Sequence, residues 1–385
     1  MSTEWIRMME QSLTDSYFKS LDEFFKITNV ASRPAIPDVK IETFPYDVID
    51  TDGSVKLLHY RPLVNKSSKS PETPLLIIYA MINRYYILDL QHDKSVIKHY
   101  LDRGIDVYVV DWGDPGPEDM YNTINDYMEY MDRIVNLIRE KHSVEKITLQ
   151  GYCMGGTFSA IYSSLHPEKV KNLILQAAGI DFSTQAGIIN IWGKYIDPDR
   201  IVDTYGNVPS EVLNLGFLMI DPVRLMYDKY VQFYQNSKDD DYVKNFIRME
   251  KWIFDSPDVP GEVYRQFIKD LYQRNLLVKN EFEVEPGTMV DLKKIDMPLL
   301  TIVGENDTLI PPDSTTPIMN LVSSTDKTTL AVKSGHIGIS VSTKAHKELW
   351  PKVADWIVER SRNGSPATPS APPRKTRGKR SAKLS

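Results

Sequence analysis

The stretch "KITLQGYCMGGTFSA", residues 146–160, decides how the chain is read. Residues 146–152 form a short apolar, β-branched run that reads as a buried strand, and a helix is expected from Met154 to Leu165. Between them stands Gly151-Tyr152-Cys153-Met154-Gly155. A strand that turns sharply into a helix through Gly-x-nucleophile-x-Gly is a nucleophile elbow: the glycines let strand and helix cross closely, and the turn holds the central side chain clear of its neighbours. The N-terminus of the following helix favours negative charge there, which suits a thiolate. Cys153 is the only cysteine in 385 residues. A lone cysteine more often fills space in a core, but the paired glycines and the strand-turn-helix context favour a nucleophile at Cys153.

Outward from the elbow, strand and helix patterns alternate. Residues 75–80 ("LLIIYA"), 106–112 ("DVYVVDW") and 170–178 ("VKNLILQAA") read as strands, and residues 89–104 and 122–142 as helices. This alternation implies a mostly parallel sheet covered by helices. Residues 40–62 look like a hairpin turning at Asp52-Gly53. The rhythm breaks after residue 182, where a long aromatic-rich segment carries helical patterns and no strand period. It resumes at 298–304 ("PLLTIVG") and 328–334 ("TTLAVKS"), and a closing helix is expected over 344–361.

An elbow predicts its partners in chain order, nucleophile then acid then histidine. Asp307 lies in the loop after the strand ending at Gly304, and His336 lies in the loop after the next strand. Both loops fall on the sheet edge where open α/β sheets build their sites. Glu305 and Asp313 are alternative acids. His59, His92, His99, His142, His166 and His346 fall on strands or helices away from the expected loop and read as surface or packing residues. Two backbone N–H groups should form an oxyanion hole: that of Met154, directly after the nucleophile, and one from the loop after residues 75–80, around 81–83, with Ile82 at its centre. No cluster has metal-ligand spacing, and no metal is expected.

The composition is that of a globular protein, 42% apolar and 25% charged. The single cysteine cannot form an internal disulfide and fits a reducing cytoplasm. No signal peptide and no membrane-spanning segment are expected. The net charge of −6 conceals a tail, residues 361–385, with seven Lys or Arg and no acid; setting its +7 aside leaves the body near −13. An acidic body argues against nucleic acid as a partner. Residues 1–30 carry an apolar stripe at helical spacing, suited to packing on the chain's own core or against a partner.

Several motifs, taken together, resemble one family. "MINRYYILDLQ", "VYVVDWGDPGPED", "GYCMGG", "GIDFSTQAGIINIW", "DLYQRNLLVKNEFEV", "VGENDTLIPP" and "SGHIGISVS" are similar, in order, to the polyhydroxyalkanoate (PHA) synthases, and the short chain resembles their class III type. The resemblance covers roughly residues 40–360. It departs from the family at Arg84, where lysine is common, and at Ser334, where glycine is common. The resemblance implies an α/β-hydrolase fold. The core would span 39–182 and 291–361, with a helical cap insertion over 183–290. Flanking them, the residue pattern itself gives an N-terminal amphipathic helix and linker (1–38) and a disordered basic tail (362–385), which is not part of the resemblance. The resemblance further implies a poly(3-hydroxyalkanoate) polymerase taking (3R)-hydroxyacyl groups, such as 3-hydroxybutyryl, from CoA thioesters to a growing polyester. In it Cys153 would be acylated, His336 would activate it and Asp307 would assist the incoming hydroxyl. No cofactor is implied, the CoA thioester being a substrate. The expected partners are a second, non-catalytic subunit or a second copy, and the expected location is the cytoplasm at polymer granules. Two other readings compete: a cysteine-dependent hydrolase of the dienelactone-hydrolase or thioesterase type, and a non-catalytic granule-associated protein.

Overall fold

The computed structural model describes residue 19 and residues 39–41, 44–64 and 72–361. The amphipathic stretch and linker expected over 1–38, apart from Lys19, and the basic tail over 362–385 lie outside the described residues.

Eight strands form one sheet: β1 (Tyr46–Asp52), β2 (Val55–Tyr60), β3 (Leu75–Ile78), β4 (Val107–Asp111), β5 (Ile147–Tyr152), β6 (Val170–Gln176), β9 (Leu299–Gly304) and β10 (Lys327–Val332). Their order is β1-β2-β4-β3-β5-β6-β9-β10. The β1–β2 hairpin is antiparallel and joins β4 antiparallel, while every other neighbouring pair is parallel. The fold is therefore the expected one. Burial explains the sequence texture. β3, β5 and β9 are buried along their whole length and read as continuous apolar runs, as strands covered on both faces must. The edge strands β1 and β10 keep polar residues facing solvent.

Helix α1 (Val96–Leu101) follows β3, α2 (Ile124–His142) follows β4, and α3 (Met154–Leu165) follows β5. The apolar stripe of α2, Ile124, Tyr127, Met128, Met131, Ile134, Val135 and Ile138, is buried. Its start is set by a capping box: Thr123 N donates to Asp126 Oδ2 at 2.6 Å, and the Thr123 side chain accepts from Asp126 N. β6 and β9 are neighbours in the sheet, yet residues 177–298 separate them in sequence. That segment carries helices Ile188–Gly193, Pro198–Tyr205, Ser210–Leu218, Lys229–Gln235, Asp240–Phe254 and Gly261–Gln266.

Three local expectations are corrected. The helix expected over 89–104 is a 3₁₀ turn, His92–Lys94, followed by α1 alone. Ser95 interrupts it, because its side chain accepts from Lys98 N and so caps a new helix instead of continuing an old one. The closing helix is two helices, Thr343–Glu348 and Trp350–Arg360, broken at Leu349. Pro351 lacks an N–H and belongs in a first turn. Finally, the segment expected to be purely helical ends in a small antiparallel ribbon, β7 (Glu283–Glu285) with β8 (Thr288–Met289), turning through Gly287 at φ +91°.

Candidate active site

The elbow forms where β5 meets α3. Cys153 is the N-cap of α3 and adopts φ 55°, ψ −122°, a conformation that L residues rarely hold. The glycines around it are steric necessities. A Cβ on Gly155 would overlap the carbonyl oxygens of Ile78 and Tyr79, and one on Gly151 would overlap the carbonyl oxygen of Gly155 and the Ser159 hydroxyl. Helix α3 can thus press against β3 and β5 only because both positions lack side chains. The turn is fastened by Cys153 N donating to Gln176 O at 2.9 Å, and by Gly156 N donating to Cys153 O at 2.9 Å.

Asp307 and His336 arrive on the loops after β9 and β10, which are parallel neighbours and therefore release both loops at the same sheet edge. The loops are zipped together: Glu305 N donates to Val332 O at 2.9 Å and Asn306 N to Ser334 O at 3.1 Å. The Asp307 carboxylate is fully buried and every lone-pair direction in use is directed. Oδ1 accepts from Leu309 N and Ile310 N, each at 2.9 Å, and Oδ2 lies 2.7 Å from His336 Nδ1. An ionised carboxylate can only accept, so Nδ1 carries the proton and Nε2 is left for a partner. Cys153 acts on the same ring. Burial opposes charge on the imidazole, but the negative charges of Asp307 and Cys153, with hydrogen bonds to both, outweigh it and push the His336 pKa up to about 10. Glu305 and Asp313, the alternative acids, are exposed.

The other histidines are held elsewhere. His59 bonds Asp106 at 2.9 Å, at the amino-terminal end of β4. His142 bonds the Tyr108 hydroxyl at 2.7 Å. His99 and His346 bond each other at 3.1 Å, His166 lies within 3.9 Å of Asp132, and His92 packs on Phe44.

Sequence reasoning missed the groups that hold the His336 loop. The buried Tyr152 hydroxyl donates to His336 O at 2.9 Å. A buried polar chain runs beside it: Tyr100 hydroxyl to Gln150 Oε1 at 2.7 Å, Gln150 Nε2 to Gln176 Oε1 at 3.1 Å, and Gln176 Nε2 to Ser340 Oγ at 3.1 Å. The available signal was two glutamines inside otherwise apolar strands. Buried amides need partners, and these find each other across β5 and β6.

Cys153 opens into a cavity of about 240 Å³. Its floor includes Met154, Thr157 and Ile82, and its roof comes from the inserted helices, with Ile189, Trp192, Leu213 and Phe217 among the lining side chains. The lining is almost wholly apolar. The two residues expected to offer oxyanion N–H groups, Met154 and Ile82, therefore border the same space as the thiol. Met154 is the first residue of α3, where backbone N–H groups have no partner within the helix. Among the described residues, no group of three or more His, Cys, Asp or Glu could hold a metal ion, and no helix is long and apolar enough to cross a membrane.

Known proteins agree with this architecture. A family model described as alpha/beta hydrolase fold matches residues 73–342, and one described as poly-beta-hydroxybutyrate polymerase (PhaC) N-terminus matches residues 39–100. The poly(3-hydroxyalkanoate) polymerase subunit PhaC of Allochromatium vinosum is 48% identical over 309 residues, covering 79% of this chain and 86% of its own. That of Haloferax mediterranei is 44% identical over 355 residues, covering 91% and 71%. Among solved structures, a soluble variant of monoglyceride lipase from Saccharomyces cerevisiae superposes with a TM-score of 0.53 at 14% identity, covering 84% of this chain and 97% of that one, a likeness of fold alone. Matched over most of its length by such relatives, the chain belongs to the PhaC subunits of poly(3-hydroxyalkanoate) polymerase, acyltransferases built on the α/β-hydrolase fold.

Proposed function

We propose that polymerisation runs through a covalent intermediate on Cys153, with His336 as general base and Asp307 as the group that orients it. The observation that carries this reading is the Asp307–His336 pair, 2.7 Å apart and buried, whose imidazole feels the charge of a thiol that opens into an apolar cavity. The thiol proton rests on His336 as an imidazolium–thiolate pair, and the thiolate attacks the carbonyl carbon of a (3R)-hydroxyacyl-CoA, such as 3-hydroxybutyryl-CoA. The amides of Met154 and Ile82 stabilise the oxyanion. The C–S bond to CoA breaks, and CoA leaves with the proton from the imidazolium. The product is another thioester, so the acyl group keeps its activation. A hydroxyl of the growing chain, or of a second monomer, then loses its proton to His336 and attacks the enzyme thioester. An ester bond forms and the cysteine sulfur is released. The apolar cavity fits the acyl moiety and disfavours water, whose attack would end the chain.

Both Asp307 oxygens are already engaged, Oδ1 by two amides and Oδ2 by His336, which supports an orienting role over direct contact with the incoming hydroxyl. The relatives are named subunits of a polymerase, so this chain acts within a multi-subunit synthase. We infer a class III arrangement with a second, non-catalytic subunit, acting in the cytoplasm at the surface of polymer granules. The decisive test is intact-protein mass spectrometry after mixing with 3-hydroxybutyryl-CoA. A ladder of hydroxybutyrate units on the wild type, absent in Cys153→Ala, is expected. A single unit decaying to free acid would indicate a hydrolase instead.

A further inference from the structure

The loop that carries Ile82 is tied to the inserted helices far more than to the sheet that precedes it. Directly after Ile82, Asn83 Nδ2 donates to Ser256 Oγ at 2.8 Å. Arg84 Nε donates to Asp255 Oδ1 at 3.1 Å, and Arg84 Nη2 to Asp114 Oδ1 at 2.6 Å. Trp252 Nε1 donates to Arg84 O at 2.8 Å, and the Tyr86 hydroxyl donates to Asp255 Oδ2 at 2.8 Å. Four of these five bonds end on Trp252, Asp255 or Ser256, at the C-terminal end of helix Asp240–Phe254 and just beyond it. Ser256 Oγ in turn donates to Ile253 O at 3.0 Å, so the anchor point is itself held.

Arg84 is the centre of this clamp. Its side chain is only 17% exposed, so the guanidinium is held in place, while its two carboxylate partners lie at the surface. Its planar fork serves a carboxylate from the loop after β4 and one from the insertion at the same time. The point charge of a lysine would bond only one of them well.

We propose that Arg84 and Asn83 are positioning residues that let helix Asp240–Phe254 and residues 255–256 set the Ile82 amide facing the Cys153 thioester. The inserted helices then do more than roof the cavity. Their seating completes the oxyanion hole, so acyl transfer is efficient only when the roof is in place. This rests on the reading of Cys153 as nucleophile and of the Ile82 amide as oxyanion donor.

The test compares two reactions of one thiol in the full-length chain. Acylation by 3-hydroxybutyryl-CoA passes through a tetrahedral oxyanion. Alkylation by iodoacetamide does not, yet needs the same activated sulfur. In Arg84→Met, single-turnover acylation should fall about tenfold to a hundredfold, less than the loss of a whole oxyanion donor. Alkylation should stay at the wild-type rate, and Arg84→Lys should recover part of the acylation rate. Acylation and alkylation falling together would mean a general distortion of the site, and neither changing would mean the clamp does not reach it; either result overturns the proposal. If Arg84→Met does not fold, Asp255→Asn, which keeps the shape and removes the charge, carries the same comparison. Failure of the underlying reading would show separately, as acylation that persists in Cys153→Ala.

Discussion

The floor and the roof of the cavity hold their residues in place by opposite means. In the floor, at the carboxyl ends of β5, β6, β9 and β10, polar groups are buried and paired. Asp307 accepts from two amides and the imidazole, Tyr152 bonds the His336 carbonyl, and Gln150 and Gln176 bond each other. Each bond is directional and lies in a medium of low polarity, so a small displacement is costly. In the roof, Ile189, Trp192, Leu213 and Phe217 meet the cavity through contacts without direction, while Tyr195, Leu215, Met219 and Tyr227 of the same segment are exposed. The roof also contains two short π-helical stretches, Val223–Asp228 and Phe267–Gln273. Reaction geometry thus resides mainly in the floor, and the roof reaches it through the Arg84–Asp255 clamp on the loop of Ile82. Access and the exclusion of water reside in the roof, whose non-directional packing can adjust to chains of growing length.

The contrast predicts that floor substitutions remove chemistry and roof substitutions redirect it. The largest effect is expected from Asp307→Asn, which leaves His336 without its charge partner and frees its tautomer. Acylation of Cys153 should fall about 10³–10⁴-fold. Normal acylation with slowed chain extension would instead assign Asp307 to the second step. The same variant tests the pH dependence of stability. The His336 pKa is raised from 6.5 to about 10 in the folded chain. Its stabilising contribution is therefore fully present below about pH 6.5 and is lost as the pH rises through 10. Denaturant unfolding between those values should show falling stability in the wild type and a flatter profile in Asp307→Asn.

Next in size is Gly155→Ala, whose methyl would collide with the Ile78 and Tyr79 carbonyls. A loss of about 1–3 kcal/mol of unfolding free energy is expected, with activity falling as the elbow shifts. Full activity at wild-type stability would show that α3 can move away from β3 without disturbing Cys153. In the roof, Trp192→Ala should leave single-turnover acylation close to normal and raise free acid relative to polymer severalfold. An unchanged ratio would remove the water-excluding role of the roof. The smallest effect concerns His346, whose pKa is lowered to about 4, first by burial and then by neighbouring His99 and Lys94, against the raising effects of its bond to Ser340 O and of Asp93. A base kept neutral in the fold contributes stability that is present above its unfolded pKa near 6.5 and is lost as pH falls through about 4. His346→Asn should flatten that acid limb of the stability curve.

Much of this molecule was legible before any coordinates. Gly151, Cys153 and Gly155 announce the elbow because a tight strand-to-helix turn has a local grammar. Asp307 and His336 stand out because each follows a recognisable strand at a short, fixed offset. The misreadings were local as well: Ser95 begins a helix that periodicity alone ran through, and Pro351 breaks one that periodicity alone joined. What no local pattern could reveal are the pairings between distant segments. Tyr152 reaches the carbonyl of His336 across 184 residues, and Arg84 reaches Asp255 across 171. A tyrosine or arginine has the same letter whether its polar end meets water or a buried partner, and only the folded chain brings that partner near. The sequence by itself therefore determined the sheet, the elbow and the chain order of the candidate residues Cys153, Asp307 and His336. The tertiary structure decided how the histidine loop is braced, which helices close over the thiol, and what ties that roof to the loop of Ile82.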